Sequence, residues 1–155
     1  MTDDYLFNEH NKEEFPPAHT AEHLLNQTMI RIFGCDRSFS AHIERKKSKM
    51  SFRLDHKPTR QEEKEIERRM NELIEADLPV TFEVVTLDCL PPEVSAERLP
   101  QAVSDTIRLV RIGDYDVCPC IGRHVRSTGQ IGRFEMLGTN WDEQQRSFRV
   151  RFKIV

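Results

Sequence analysis

Two short stretches hold the residues best suited to chemistry. His19-Thr20-Ala21-Glu22-His23 places two imidazoles at i and i+4, which on a helix stand one above the other on the same face. Later in the chain, Cys120-Ile121-Gly122-Arg123-His124 repeats that spacing with a thiol and an imidazole. Thiolate and neutral imidazole are borderline-soft donors, and zinc favours four of them in a tetrahedron. Either pair alone is weak, because a lone pair of histidines at helical spacing is common without metal. Two pairs in one short chain argue for a metal centre made by His19, His23, Cys120 and His124. Cys118 is an alternative donor. Cys120 is preferred because it stands one helical turn before His124, whereas Cys118 reads as a buried strand residue.

The same spacing excludes two familiar metal chemistries. The metalloprotease motif is His-Glu-X-X-His, with the glutamate directly after the first histidine. Here Thr20 holds that place, and Glu22 is expected off the ligand face. A zinc finger is excluded because a whole domain separates the two pairs. A closed set of four ligands can simply staple a fold, and a catalytic zinc usually keeps an open position. Zinc held here would lose a ligand, expand its shell or orient a substrate.

The elements that must position these residues follow from patterning. With 155 residues, the chain can bury one real core. Residues 1–17 are polar and acidic without a signal-peptide pattern, and read as a lead-in to a single domain over 18–155. No apolar run approaches the roughly 20 residues needed to span a membrane, so a cytoplasmic protein is expected. There its four cysteines, Cys35, Cys89, Cys118 and Cys120, would be free thiols or metal ligands.

A helix is expected from Ala18 to Phe33, with Leu24, Leu25, Thr28, Met29, Ile32 and Phe33 inward and Gly34 as its stop. Strands are expected over 38–43 and 50–54. Thr59 and Glu62 read as a capping box opening a helix with Ile66, Met70, Leu73 and Ile74 on one side. Further strands are expected over 80–87, 106–112 and 115–118, with 91–104 irregular or a short helix. A closing hairpin over 133–137 and 147–155 would have Gly138-Thr139-Asn140-Trp141 in its loop. The fold expected is α+β, a mostly antiparallel sheet with helices packed on one side and the zinc site between a helix and a short turn.

Three stretches together resemble a known family. They are His19-Thr20-Ala21-Glu22-His23-Leu24-Leu25; Phe52-Arg53-Leu54-Asp55-His56-Lys57-Pro58-Thr59; and Cys120-Ile121-Gly122-Arg123-His124-Val125 with Ser127-Thr128-Gly129-Gln130-Ile131-Gly132. In this order they resemble the editing domain of alanyl-tRNA synthetase and its freestanding relatives, the AlaX proteins. The same domain occurs in threonyl-tRNA synthetase. The resemblance covers roughly residues 18–155 and is to the short AlaX form, since the N-terminal barrel and glycine-rich motif of the long form are not seen. It departs at Cys-Ile-Gly-Arg-His, where synthetase domains usually read CGGTH.

The resemblance implies zinc on His19, His23, Cys120 and His124, and hydrolysis in trans of tRNA(Ala) mischarged with serine or glycine. It places a serine-contacting hydroxyl at Ser40. The net charge of −3 offers no general attraction for RNA or DNA, so an acceptor stem would need local cations. Lys46, Lys47 and Lys49, in the run Arg45-Lys46-Lys47-Ser48-Lys49, are candidates, as are Arg123 and Arg126. A solvated hairpin tip is the plain alternative for that run. The competing functions are a non-catalytic zinc-stabilised RNA-binding or interaction module, and a zinc hydrolase of another ester or amide.

Overall fold

A computed structural model describes residues 14–94 and 106–155. Most of the lead-in over 1–17 and most of the irregular segment expected over 91–104 lie outside these residues. Helix α1 spans Pro16–Phe33, two residues earlier than its pattern suggests. Phe15 gives no side-chain cap. Little capping is needed, because Pro16 and Pro17 have no N–H to leave unsatisfied. The helix ends where Gly34 turns left-handed at φ 67° and returns its N–H to Ile30. Helix α2 spans Arg60–Glu75 and opens with the expected capping box. The Thr59 hydroxyl accepts from the Glu62 amide, and the Glu62 carboxylate accepts from the Thr59 amide.

The antiparallel strands form two sheets. Strands β1 (Ser40–His42), β2 (Ser48–Arg53), β6 (Phe134–Asp142) and β7 (Ser147–Ile154) make a four-stranded sheet in the order β1-β2-β7-β6. Strands β3 (Val80–Thr86), β4 (Thr106–Ile112) and β5 (Asp116–Pro119) make a three-stranded one. Met50, Phe52, Phe148, Val150 and Phe152 point inward from β2 and β7 onto Leu24, Leu25 and Met29 of α1 and Ile66, Met70 and Ile74 of α2. The period of two on the strands and three to four on the helices thus produces the core. No helix among the described residues is long and apolar enough to cross a membrane.

Three details differ from the sequence expectation. Gly138, Thr139, Asn140 and Trp141 belong to β6, and the reversal to β7 falls after Asp142, whose carboxylate accepts from the Gln144 and Gln145 amides. Gly138 and Asn140, poor strand formers, are carried there by pairing with the long alternating β7, beside good ones such as Trp141 opposite Phe148. Strand β1 is confined to three residues. The segment from Cys120 to Ser127 is irregular rather than a helical turn, anchored by Cys120 N–H to the Arg108 carbonyl and Val80 N–H to the Arg126 carbonyl.

Candidate metal centre

Helix α1 brings His19 and His23 to one face, one turn apart, and the loop after β5 brings Cys120 and His124 against them. One donor atom from each of the four lies within 4.8 Å of all the others. The loop can approach only because residue 122 is glycine. A Cβ there would stand 2.6 Å from Glu14 Oε1 and 2.7 Å from His19 Nδ1, inside van der Waals contact.

Hydrogen bonds assign a role to each ring nitrogen. His19 Nδ1 donates to the Arg123 carbonyl at 3.0 Å, leaving Nε2 3.5 Å from Cys120 Sγ. His124 Nδ1 lies 3.0 Å from the Thr20 hydroxyl, which also accepts from the Val125 amide at 3.2 Å. His23 Nδ1 faces Asp116 Oδ2 at 3.8 Å. In all three rings the outer nitrogen is engaged or aimed at an acceptor, and Nε2 is the nitrogen left for a metal, the arrangement by which outer partners fix the tautomer of ligating histidines.

Burial favours the uncharged forms of His23, His124 and Cys120. It lowers the pKa of His23 well below the ordinary value, with help from the neighbouring His124 and His19. Burial takes His124 down to about 3, again assisted by His19 and then by Arg108. It pushes the Cys120 thiol up to about 12. The His23 and His124 imidazoles therefore present lone pairs at neutral pH, and a bound cation would draw the proton from the thiol. The His124 Nε2 atom is buried with no hydrogen-bond partner, as are His23 Nδ1 and Asp116 Oδ2. Buried polar atoms are rarely left so. His23 Nδ1 and Asp116 Oδ2 face each other at 3.8 Å, whereas His124 Nε2 points into the four-donor cluster, where an ion of the zinc class would satisfy it.

Several residues at this centre were not singled out from sequence. Asp116 is fully buried and pairs with Arg37, while its Oδ1 also accepts from Gln27 Nε2 at 2.8 Å. Its signal was a carboxylate in a short strand otherwise made of apolar residues. Glu14 accepts the Arg123 amide at 2.6 Å and sits 3.2 Å from His19 Nδ1. Arg108 donates to the Gly122 carbonyl at 3.1 Å and stacks on Phe82, 4.0 Å from the ring centre. Glu22 is not turned away as expected. Its Oε1 is 3.8 Å from His19 Nε2, because i+3 as well as i+4 shares a helix face.

The remaining candidates are exposed residues. Arg123 and Arg126 are exposed on the ligand loop, where their backbone groups do the anchoring. Ser40 is exposed on β1 opposite Ser51, on the side away from the core-packed Ala41. Lys46 and Lys47 are exposed in the β1–β2 turn, and Lys49 is exposed within β2.

Among the described residues, fold and site together define an α+β arrangement of two helices and two sheets, with a His3Cys cluster that could hold a metal between a helix and a loop. Residues 107–149 match the family described as the threonyl and alanyl tRNA synthetase second additional domain. The alanine–tRNA ligase of Treponema denticola is 34% identical over 131 residues, 80% of this chain and 21% of that protein. That of Thermoanaerobacter sp. is 34% identical over 121 residues, 77% of this chain and 14% of the ligase. That of Bacillus subtilis is 30% identical over 121 residues, with the same shares. The chain thus spans about a fifth or less of the length of these curated relatives. It is an AlaX-like editing-domain protein.

Proposed function

We propose that this protein is a zinc-dependent aminoacyl-tRNA deacylase that acts in trans on tRNA(Ala) carrying serine or glycine. The observation that carries the reading is the four-donor cluster, with its orphaned His124 Nε2, in a domain similar to part of alanine–tRNA ligases. Zinc held by His19, His23, Cys120 and His124 would supply a Lewis-acid charge for orienting the ester or polarising water. The Arg123 carbonyl holds the proton of His19 on Nδ1, while the Thr20 hydroxyl and the Asp116 carboxylate lie beside Nδ1 of His124 and His23, so Nε2 of each ring can face a metal. The four-donor set is closed, which favours orienting the substrate over activating water. Ser40 is the candidate selector: its hydroxyl is exposed on β1, and a hydrogen bond from it to the seryl hydroxyl, which alanine lacks, would contribute about 0.5–1.5 kcal/mol.

The test joins metal content to turnover. Purified wild type is expected to carry about one zinc per chain and to hydrolyse Ser-tRNA(Ala) well and Ala-tRNA(Ala) poorly in single-turnover assays. His19→Ala with Cys120→Ala should abolish both zinc and activity, and Cys118→Ala should keep both. Ser40→Ala should reduce the ratio of seryl to alanyl rates by roughly 2–10-fold, following the contribution above. Zinc-loaded protein that cleaves none of the esters would favour a non-catalytic RNA-binding module, and cleavage of small esters alone would favour another hydrolase.

A further inference from the structure

Helices α1 and α2 cover one face of the four-stranded sheet, and among the described residues no other element packs on the opposite face, here called bare. Cross-strand pairing sets the side chains of that bare face in rows. His42, Lys49, Arg151 and Gly138 form one row, and Ser40, Ser51, Arg149 and Asn140 the next. Arg53 and Lys153 extend it along β2 and β7. The face thus carries five cations on a chain of net charge −3. Its two carboxylates are already engaged: Glu135 with Arg133 and Lys153, Asp142 with the turn amides. Among the described residues, Lys49, Arg149 and Arg151 are in no ion pair.

Two further observations say what this charge could receive. Arg53 lies over the ring of Phe39, which is 48% exposed, so an aromatic surface borders the cations. Arg45, in the β1–β2 turn beyond Lys49, lies over the ring of Phe15. Phe15 directly precedes α1, the helix that carries His19. Arg45 thus carries the positive charge from the sheet, through the β1–β2 turn, to the residue that precedes α1.

We propose that the bare face of the four-stranded sheet, through Lys49, Arg149 and Arg151, is the docking surface for the sugar–phosphate backbone of the RNA whose acylated end reaches the metal centre. This rests on the deacylase reading for its substrate and extends it to where the nucleic acid lies. Backbone contacts of this kind set affinity and salt dependence, not amino-acid choice.

The test separates the surface from catalysis by measuring binding of uncharged tRNA(Ala) transcript across a salt series, with no turnover involved. Arg149→Gln with Arg151→Gln should weaken binding roughly 10–30-fold near physiological salt and reduce the log–log salt slope by about 2. The control is Arg60→Gln with Lys64→Gln on the exposed side of α2, which removes the same charge elsewhere and should leave affinity near wild type. The sheet variant should also raise KM for seryl-tRNA with kcat unchanged, and leave hydrolysis of seryl-adenosine ester untouched. Unchanged affinity and slope in the sheet variant, or equal losses in both variants, would overturn the docking surface. RNA binding that depends on these arginines without hydrolysis by wild type would retain the surface and remove the deacylase.

Discussion

Asp116→Asn is the perturbation that most sharply tests how the metal centre is held. The carboxylate is fully buried, and Oδ1 is shared by Arg37 and Gln27 while Oδ2 looks at His23 Nδ1 from 3.8 Å. Asparagine preserves the shape and one carbonyl oxygen for Arg37 and Gln27, but removes the charge that steadies the His23 N–H. Loss of such an outer partner typically weakens metal binding about 10–100-fold, equivalent to roughly 1.4–2.8 kcal/mol. Stability without metal should fall by less than the full cost of a broken buried ion pair, about 1–3 rather than 3–5 kcal/mol, because a hydrogen bond to Arg37 survives. Asp116→Ala should therefore be clearly less stable than Asp116→Asn while binding metal about as weakly. The assay is zinc competition against a chromophoric chelator, run beside thermal unfolding in the presence of excess chelator. A folded Asp116→Asn protein with zinc affinity within about twofold of wild type, far short of that expected loss, would refute the argument that Asp116 positions His23.

Gly122→Ala should weaken zinc binding by about tenfold or more, since the added Cβ meets His19 and Glu14, and overpacking of this kind costs about 1–3 kcal/mol; chelator competition would show it, and an unchanged affinity would mean the loop has room to shift. At the start of α2, Thr59→Ala should cost about 1 kcal/mol at any pH, because the hydroxyl cap does not titrate. Glu62→Gln should behave differently. Bonding to the Thr59 amide, and then to His56, holds the Glu62 carboxyl below its ordinary pKa, so its stabilisation is present above the unfolded value and lost as pH falls through the folded one. The difference from wild type seen in denaturant titrations at pH 7 should vanish in strong acid, and a difference that persists there would place the effect elsewhere.

Period and capping made much of the scaffold legible. Ile66, Met70 and Ile74 point one way on α2, and the Thr59–Glu62 box opens it, as local chemistry requires. The alternation in β7 likewise set Phe148, Val150 and Phe152 inward. Gly138 and Asn140 misled because their own preference opposes the strand that β7 imposes on them. Arg151 even lies across Gly138, with Nη2 2.6 Å from where a Cβ would be. The ligand pairs were legible as spacing, but equal spacing did not mean equal backbone. His19 and His23 meet through helical geometry, whereas Cys120 and His124 meet because an irregular loop doubles back over Gly122. Asp116 and Thr20 could not be assigned from sequence, since their role depends on which ring nitrogen they face.

The seam between α1 and the second sheet explains why that loop must be so specific. Much of what crosses it is polar: Thr20 to His124 and the Val125 amide, Gln27 to Asp116, Thr28 to the Tyr115 hydroxyl, and Arg31 to the Tyr115 carbonyl. Directional bonds fix relative position better than apolar contact, which tolerates sliding, and they break together when one member is lost. The family match over residues 107–149 contains Cys120 and His124 but not His19 and His23. Half of the donor set therefore comes from a helix that must be held in register by this polar seam. A metal bound across it would act as one more directional contact between α1 and β5.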